Sequence, residues 1–212
     1  MWYALIIIML ILGGIFGYQY YDKPDPGMQR FTEIVTDSDP IQLEQEGFKP
    51  ITIDMRRGSV TLQPVAEYKI AGKVLSKKKY GSTWSAKVAP YDLAIGWASL
   101  TNSEYIDKLK FSQWGRFYFF KYEYNVPFRE DYIIEHSSNN HIIPATDNLK
   151  KLLFHIKTDY LIEMEGYLVD ISGKISNKPV TWKTSLKRDD TGNGSCELFY
   201  VNKITYDGII YE

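Results

Sequence analysis

The chain begins with an unbroken run of apolar residues and glycine from Trp2 to Phe16. A membrane-spanning helix needs about 20 mainly apolar residues, each of which adds about 1.5 Å of length. The run reaches that length when it is extended to Tyr21, and its aromatic ends suit the two headgroup zones of a bilayer. The sequence therefore predicts a retained transmembrane helix, an anchor over residues 1–21.

A cleaved signal peptide is the alternative interpretation of this run. Signal peptides need a basic start and a small-residue cleavage site, but the sequence has no Lys or Arg before Lys23 and no clear Ala-x-Ala-like site. Lys23 and Arg30 mildly favour an inside location for the following domain. A lone N-terminal anchor is nevertheless a common way to expose a domain outside the cytoplasm. We expect a single-pass cell-membrane protein with its globular domain on the non-cytoplasmic side.

Composition limits the classes of function that remain. The formal net charge is −1, so no global field attracts nucleic acid, and we expect no nucleic-acid partner. Cys196 is the only cysteine, which excludes an intramolecular disulfide. The chain is 15% aromatic and contains 17 Tyr, and such residues favour sheets over helical bundles.

Residues 22–50 differ in composition from the rest of the chain. They contain four prolines among acidic and polar residues, namely Pro24, Pro26, Pro40 and Pro50. Because proline interrupts regular structure, this pattern predicts a linker or loosely packed lead-in. The remaining residues, 51–212, are long enough to form one β-rich globular domain with a sizeable core.

Hydrophobic periodicity predicts the main elements of that domain. A period of two predicts strands over 65–75, 114–124, 160–171, 180–186 and 195–204, and a period of 3.6 predicts a helix over 146–156. A shorter helix is expected over 101–109. The first and third strands each contain a central glycine, Gly72 and Gly166, which is typical of bent strands in a small barrel. We therefore predict a mainly β (α+β) fold: a curled antiparallel sheet or OB-like barrel with two short helices.

The segment from Glu135 to Pro144 is the densest polar cluster in the sequence, and we expect it to be a loop. A metal site there would use His136 and His141 with Glu135, Asp189 or Asp190. The five-residue spacing of the two histidines fits neither one face of a helix nor one face of a strand, and no zinc motif accompanies them. We expect neither a metal nor another cofactor.

A cysteine hydrolase is the alternative function for the same region. Cys196 would be the nucleophile and His136 or His141 the base, and the imidazole would be oriented by Asn139, Asn140 or Asp189. However, Cys196 is in phase with Leu198 on a predicted strand, where a thiol normally packs as a small hydrophobe. The sequence therefore favours a structural Cys196.

The segment from Arg188 to Gly194 contains an Asp-Thr-Gly triplet that follows a second acidic residue, Asp189. A calcium loop needs a longer series of ligands with a distal Glu. An aspartic-protease triplet normally follows an apolar strand and pairs with a second copy. Neither context is present, so this segment is interpreted as a hairpin turn.

Two strings in the second half of the chain carry a resemblance. They are His136-Ser-Ser-Asn-Asn-His-Ile-Ile-Pro144 and Arg188-Asp-Asp-Thr-Gly-Asn-Gly-Ser-Cys-Glu197. From about Leu93 onward, the chain resembles a group of uncharacterised bacterial membrane-anchored proteins. The resemblance implies a bacterial envelope protein and brings no assigned activity or functional residue.

These observations favour a non-enzymatic, membrane-tethered domain that binds or scaffolds an envelope protein partner. We expect its ligand-binding pocket where the 135–144 segment meets the 187–196 turn, lined by His136, Asn139, His141, Arg188 and Asp189. The alternative is a cysteine hydrolase that uses Cys196 with His136 or His141.

Overall fold

The computed structural model describes residues 5–9, 23–30, 33–122, 126–187 and 196–212. Its strands are β1 Ile41–Glu44, β2 Ile51–Met55, β3 Gly58–Lys79, β4 Tyr91–Gly96, β5 Leu109–Trp114, β6 Phe117–Tyr122, β7 Ser137–Pro144, β8 Leu161–Ile175, β9 Lys178–Trp182, β10 Glu197–Tyr206 and β11 Ile209–Tyr211. Its helices are α1 Trp84–Val88, α2 Ser103–Ile106, α3 Glu130–Glu135 and α4 Asp147–His155, with a 3-10 turn at Ala98–Thr101. The prediction of a mainly β fold with few helices is confirmed.

The predicted anchor falls largely outside the described residues. Residues 5–9 of the apolar run are helical and exposed. Across the described parts of the chain, no helix combines the length and the apolar character that crossing a membrane requires.

Nine strands form one curled sheet, whereas β5 and β6 form a separate hairpin. In the large sheet β3 pairs with β4, β4 with β7, β7 with β10, β10 with β8, and β8 with β3 again. The expectation of a wholly antiparallel sheet was wrong, because β7 and β10 are parallel. A parallel pair needs a long crossover between its strands, and here α4 and β8 provide it.

Glycine allows close approaches at both bent strands. β3 pairs with β8 over residues 58–73 and with β4 over residues 73–79. A Cβ atom at the neighbouring Gly72 would collide with the carbonyl oxygen of Gly96. In β8, Gly166 lies opposite Val201, where the register shifts before Lys203. The irregularity lies beside Gly166, but its extra residue, Asn202, is on β10 rather than on β8.

Helix α4 forms as its sequence predicts. The Thr146 hydroxyl accepts a hydrogen bond from the Leu149 amide at 3.2 Å and caps the first turn. The apolar face of α4 is buried in the core that the curled sheet encloses; this face consists of Leu149, Leu152 and Leu153. The helix therefore closes one end of the core.

Lys77, in β3, binds the other end of α4. Its ammonium donates to the carbonyl oxygens of Leu153 at 2.8 Å, Phe154 at 2.9 Å and Ile156 at 2.5 Å. A cation at this position satisfies free carbonyls and complements the helix dipole. Burial, with a smaller contribution from repulsion by Lys79, lowers the pKa of Lys77 to about 8.

The described part of the lead-in packs along the domain. The Asp25 amide donates to Asn148 Oδ1, at the start of α4, at 2.7 Å. Asp39 Oδ1 accepts a hydrogen bond from the indole of buried Trp97 at 2.9 Å. Strand β1 then pairs antiparallel with β3. The described residues before Ile51 are thus attached to the domain at several points.

Charged side chains also form a row across three neighbouring strands of the large sheet. Lys69 on β3, Glu165 on β8 and Lys203 on β10 are aligned in register, and both lysines contact the Glu165 carboxylate, at 3.0 and 3.1 Å. Burial raises the pKa of Glu165, but the hydrogen bonds from Lys69 and Lys203 outweigh that effect and hold the pKa below its ordinary 4.5.

We predict that Glu165→Gln lowers the free energy of unfolding by about 1 kcal/mol at pH 7. The folded state depresses the Glu165 pKa, so the carboxylate stabilises the fold above the unfolded pKa and loses this contribution as pH falls through the folded value. Denaturant unfolding at pH 7 and at pH 3 measures the difference. Exposed Glu46→Gln is the control, and an equal effect of the two variants at pH 7 would contradict the prediction.

Candidate functional site

The polar segment expected to be a loop is instead a central strand. β7 lies between β4 and β10, and almost all of its residues are buried. Asn has low strand propensity, but Ser137 and Asn139 find hydrogen-bond partners on the β5–β6 hairpin. Asn139 Oδ1 accepts a hydrogen bond from Gln113 on β5 at 2.6 Å, and the Ser137 hydroxyl lies 3.1 Å from the Tyr118 hydroxyl on β6.

A buried charge cluster, formed by Asp92, Arg116 and His141, lies on the same side of this strand as Asn139. Asp92 on β4 is directly opposite His141 on β7. Asp92 Oδ1 accepts a hydrogen bond from Arg116 Nη1 at 2.6 Å and lies 2.9 Å from His141 Nδ1. The Asp92 side chain is 0% exposed, and its Oδ2 atom has no hydrogen-bond partner among the described residues. The guanidinium therefore compensates for the burial of the carboxylate.

Arg116 reaches this position from the turn between β5 and β6. Gly115 and Arg116 have φ values of +61° and +75°, which is typical of a two-residue turn that matches the twist of a hairpin. The left-handed region is unfavourable for Arg by about 1–2 kcal/mol. Arg116 Nη2 also donates to the Ala89 carbonyl at 3.0 Å. Its contacts with Asp92 and Ala89 thus offset the backbone strain and fix the hairpin to the large sheet.

Two aromatic side chains, Tyr80 and Trp182, lie against the guanidinium, and Trp84 packs on Trp182; we call these three residues the aromatic rim. The guanidinium carbon lies 3.9 Å from the centre of the Tyr80 ring and 5.3 Å from that of Trp182. Trp84 packs edge to face on Trp182 at 6.2 Å. Burial, followed by the negative charge of Asp92, raises the pKa of Tyr80. The rim is half-buried, so its rings are partly open to solvent.

The structure brings together two of the five residues expected to line the pocket. Asn139 and His141 both lie at this site, and His141 also packs on Trp182 at 4.7 Å between ring centres. His136 lies elsewhere, at the end of α3, where its ring stacks on Tyr132 at 3.9 Å. The other two expected residues, Arg188 and Asp189, are outside the described residues, as is Asp190.

Cys196 lies beside Asn139 at the start of β10. Its sulfur accepts a hydrogen bond from Asn139 Nδ2 at 3.4 Å and lies 3.6 Å from the Arg116 carbonyl oxygen. The thiol is half-buried, rather than fully buried in the core as expected. Cys196 thus meets β7 at Asn139.

This geometry holds the hairpin in place. His141 is only 2% exposed. The group that faces its Nδ1 atom is Asp92, which was not among the residues that the sequence analysis expected to orient the imidazole. Among the residues that the structure describes, no three His, Cys, Asp or Glu side chains converge as metal ligands.

Sequence reasoning missed Asp92, Arg116 and the aromatic rim. One signal was available: Asp92 is the only charged residue in the otherwise apolar strand β4, and a buried carboxylate needs a partner. The identity of that partner was not available, because Arg116 is 24 residues away and reaches Asp92 only through the hairpin.

Comparison of the chain with models of protein families, with curated proteins and with solved structures gives no match.

We predict that Asp92→Asn lowers the free energy of unfolding by about 3 kcal/mol, because the amide leaves the partly buried Arg116 charge uncompensated. Denaturant unfolding of the full chain in detergent measures the loss. Asp54→Asn, an exposed position on β2, is the matched control and should change stability by less than about 0.5 kcal/mol. Equal losses in the two variants would contradict a stabilising role for the buried charge cluster.

Proposed function

We propose that this protein is a membrane-anchored, bacterial envelope protein whose β-rich domain binds or scaffolds a partner without catalysing a reaction. The apolar run before Tyr21 and the resemblance of the second half of the chain support the anchor and the envelope location. The observation that carries the binding function is the half-buried aromatic rim, held in place from below by Arg116.

We infer that the curled sheet is an OB-like barrel. Its five cyclically paired strands are, in chain order, β3, β4, β7, β8 and β10. Around the cycle the neighbours are β3, β4, β7, β10 and β8, so the fifth strand of the chain lies between the third and the fourth. Helix α4 connects the third strand to the fourth along the chain. That order, and the parallel pairing of the third and fifth strands, are features of OB barrels. The likeness concerns architecture and does not by itself specify a ligand.

The position of the aromatic rim agrees with this architecture. OB barrels bind ligands on the face of their second and third strands and on the loops that join strands one to two and four to five. Here the second and third strands carry Asp92 and His141. Tyr80 and Trp84 belong to the connection from β3 to β4, and Trp182 to the connection from β8 to β10. Half-buried aromatic rings of this kind provide large contact areas for a partner.

The partner is not a nucleic acid in this proposal. Binding to phosphate backbones depends on clustered positive charge. The chain has a net charge of −1, and Arg116, against which Tyr80 and Trp182 pack, already pairs with Asp92.

Site-specific photo-crosslinking tests the binding function. With a photoreactive phenylalanine analogue at Trp84 of the full chain, we predict a defined adduct with a partner in the cells that express the protein. Trp182→Ala should reduce the yield of that adduct about tenfold, as expected for a central aromatic residue of an interface. The same analogue at exposed Phe154 on α4 is the control. Equal yields at both positions, or no adduct at Trp84, would contradict the proposal.

A further inference from the structure

The β5–β6 hairpin has one buried face and one exposed face. Its inner face packs over a cluster of buried residues that includes Leu75, Leu100 and Ile133. Its outer face is formed by three pairs of directly opposed residues: Lys110 with Lys121, Ser112 with Phe119, and Trp114 with Phe117. Because side chains alternate along a strand, these residues share one side of the hairpin.

The outer face exposes more aromatic surface than a solvated sheet normally does. The Trp114 residue is 76% exposed and Phe119 is 48% exposed. Antiparallel sheets with a solvated side normally place polar residues there. Contiguous exposed apolar surface is typical of an interaction site.

The charges beside these rings indicate the chemistry of the partner. Lys110 and Lys121 are exposed and directly opposed, and neither ammonium has a carboxylate partner among the described residues. Like charges that face each other across a strand pair are destabilising. An anionic surface above the hairpin would remove this repulsion.

We propose that the outer face of the hairpin docks on a bilayer that contains anionic lipid. Trp114 and Phe119 would lie at the headgroup level, where aromatic side chains are favoured, while Lys110 and Lys121 contact lipid phosphates. Lysine is depleted in the cores of protein–protein interfaces, which favours lipid over protein as the occupant. The inference rests on the anchor of the proposed function, because the anchor keeps the domain beside the bilayer.

The hairpin is organised for this contact before it binds. Arg116, in its turn, is fixed to Asp92, and Gln113 is fixed to Asn139. A surface that is already ordered loses little conformational entropy on docking. The site is also separate from the aromatic rim, because the rim contacts the side chain of Arg116 rather than the outer face.

Hydrogen–deuterium exchange of the full chain in lipid nanodiscs tests the proposal. We compare nanodiscs of phosphatidylcholine alone with nanodiscs that contain equal amounts of phosphatidylcholine and phosphatidylglycerol. Amides of residues 109–122 should exchange at least about fivefold more slowly with phosphatidylglycerol, the factor expected for one lysine near an anionic surface.

Two double variants should abolish this difference: Trp114→Ser with Phe119→Ser, and Lys110→Glu with Lys121→Glu. Matched controls at exposed positions elsewhere, Phe154→Ser and Lys178→Glu, should retain it. Each variant is compared with the wild type by thermal unfolding in detergent, which shows that the fold is retained.

Equal exchange of residues 109–122 in the two lipid compositions would overturn the inference. Protection that requires an added protein fraction would also overturn it, in favour of a protein partner. A chain that enters neither nanodisc contradicts the anchor of the proposed function. The hairpin is then tested with added phosphatidylglycerol vesicles, where the same difference supports lipid docking and its absence overturns it.

Discussion

The ion pair between Asp92 and Arg116 is the interaction on which the rest of this arrangement depends. Asp92 places a carboxylate on the outer side of a central strand, where it is completely buried. Burying a charge is unfavourable unless an opposite charge accompanies it. Arg116 supplies that charge from the turn of a separate hairpin, although its backbone must adopt a left-handed conformation to do so. The pair thus joins two sheets that share no strand.

The consequences of this ion pair extend over the whole face of the sheet. The hairpin covers one side of β7, where Ser137 and Asn139 are buried with hydrogen-bond partners on the hairpin. The guanidinium orders Tyr80 and Trp182 around it. The outer face of the hairpin, with Trp114, is held at a fixed position. Two separate surfaces, the aromatic rim and the outer face of the hairpin, therefore have one structural cause.

Local patterns predicted the elements whose formation depends on neighbouring residues. Helix α4 followed from its apolar spacing and from Thr146, and neighbouring strands approach closely at Gly72 and Gly166, where a side chain would collide with a carbonyl oxygen. The strand predicted over 114–124 begins at Phe117, since Gly115 and Arg116 form the turn.

Long-range pairing was beyond local patterns. Strand β7 has the composition of a loop and becomes a strand only because β4, β10 and the hairpin surround it. The parallel pairing of β7 with β10 has no local signal either. The site shows the same dependence on long-range contacts. His141 and Asn139 could be recognised by residue type, whereas Asp92 and Arg116 acquire their role only when the hairpin folds onto the sheet.

The claim that the ion pair fixes the hairpin is tested most directly by native-state hydrogen exchange of an Arg116→Met variant in detergent. This substitution removes the charge but retains a long side chain. If the ion pair fixes the hairpin, amides of residues 109–122 should exchange about a hundredfold faster than in the wild type, as expected for a loss of about 3 kcal/mol. Amides of residues 60–75 in β3 should keep their protection. Unchanged exchange in the hairpin, or equal acceleration in the hairpin and β3, would contradict the account.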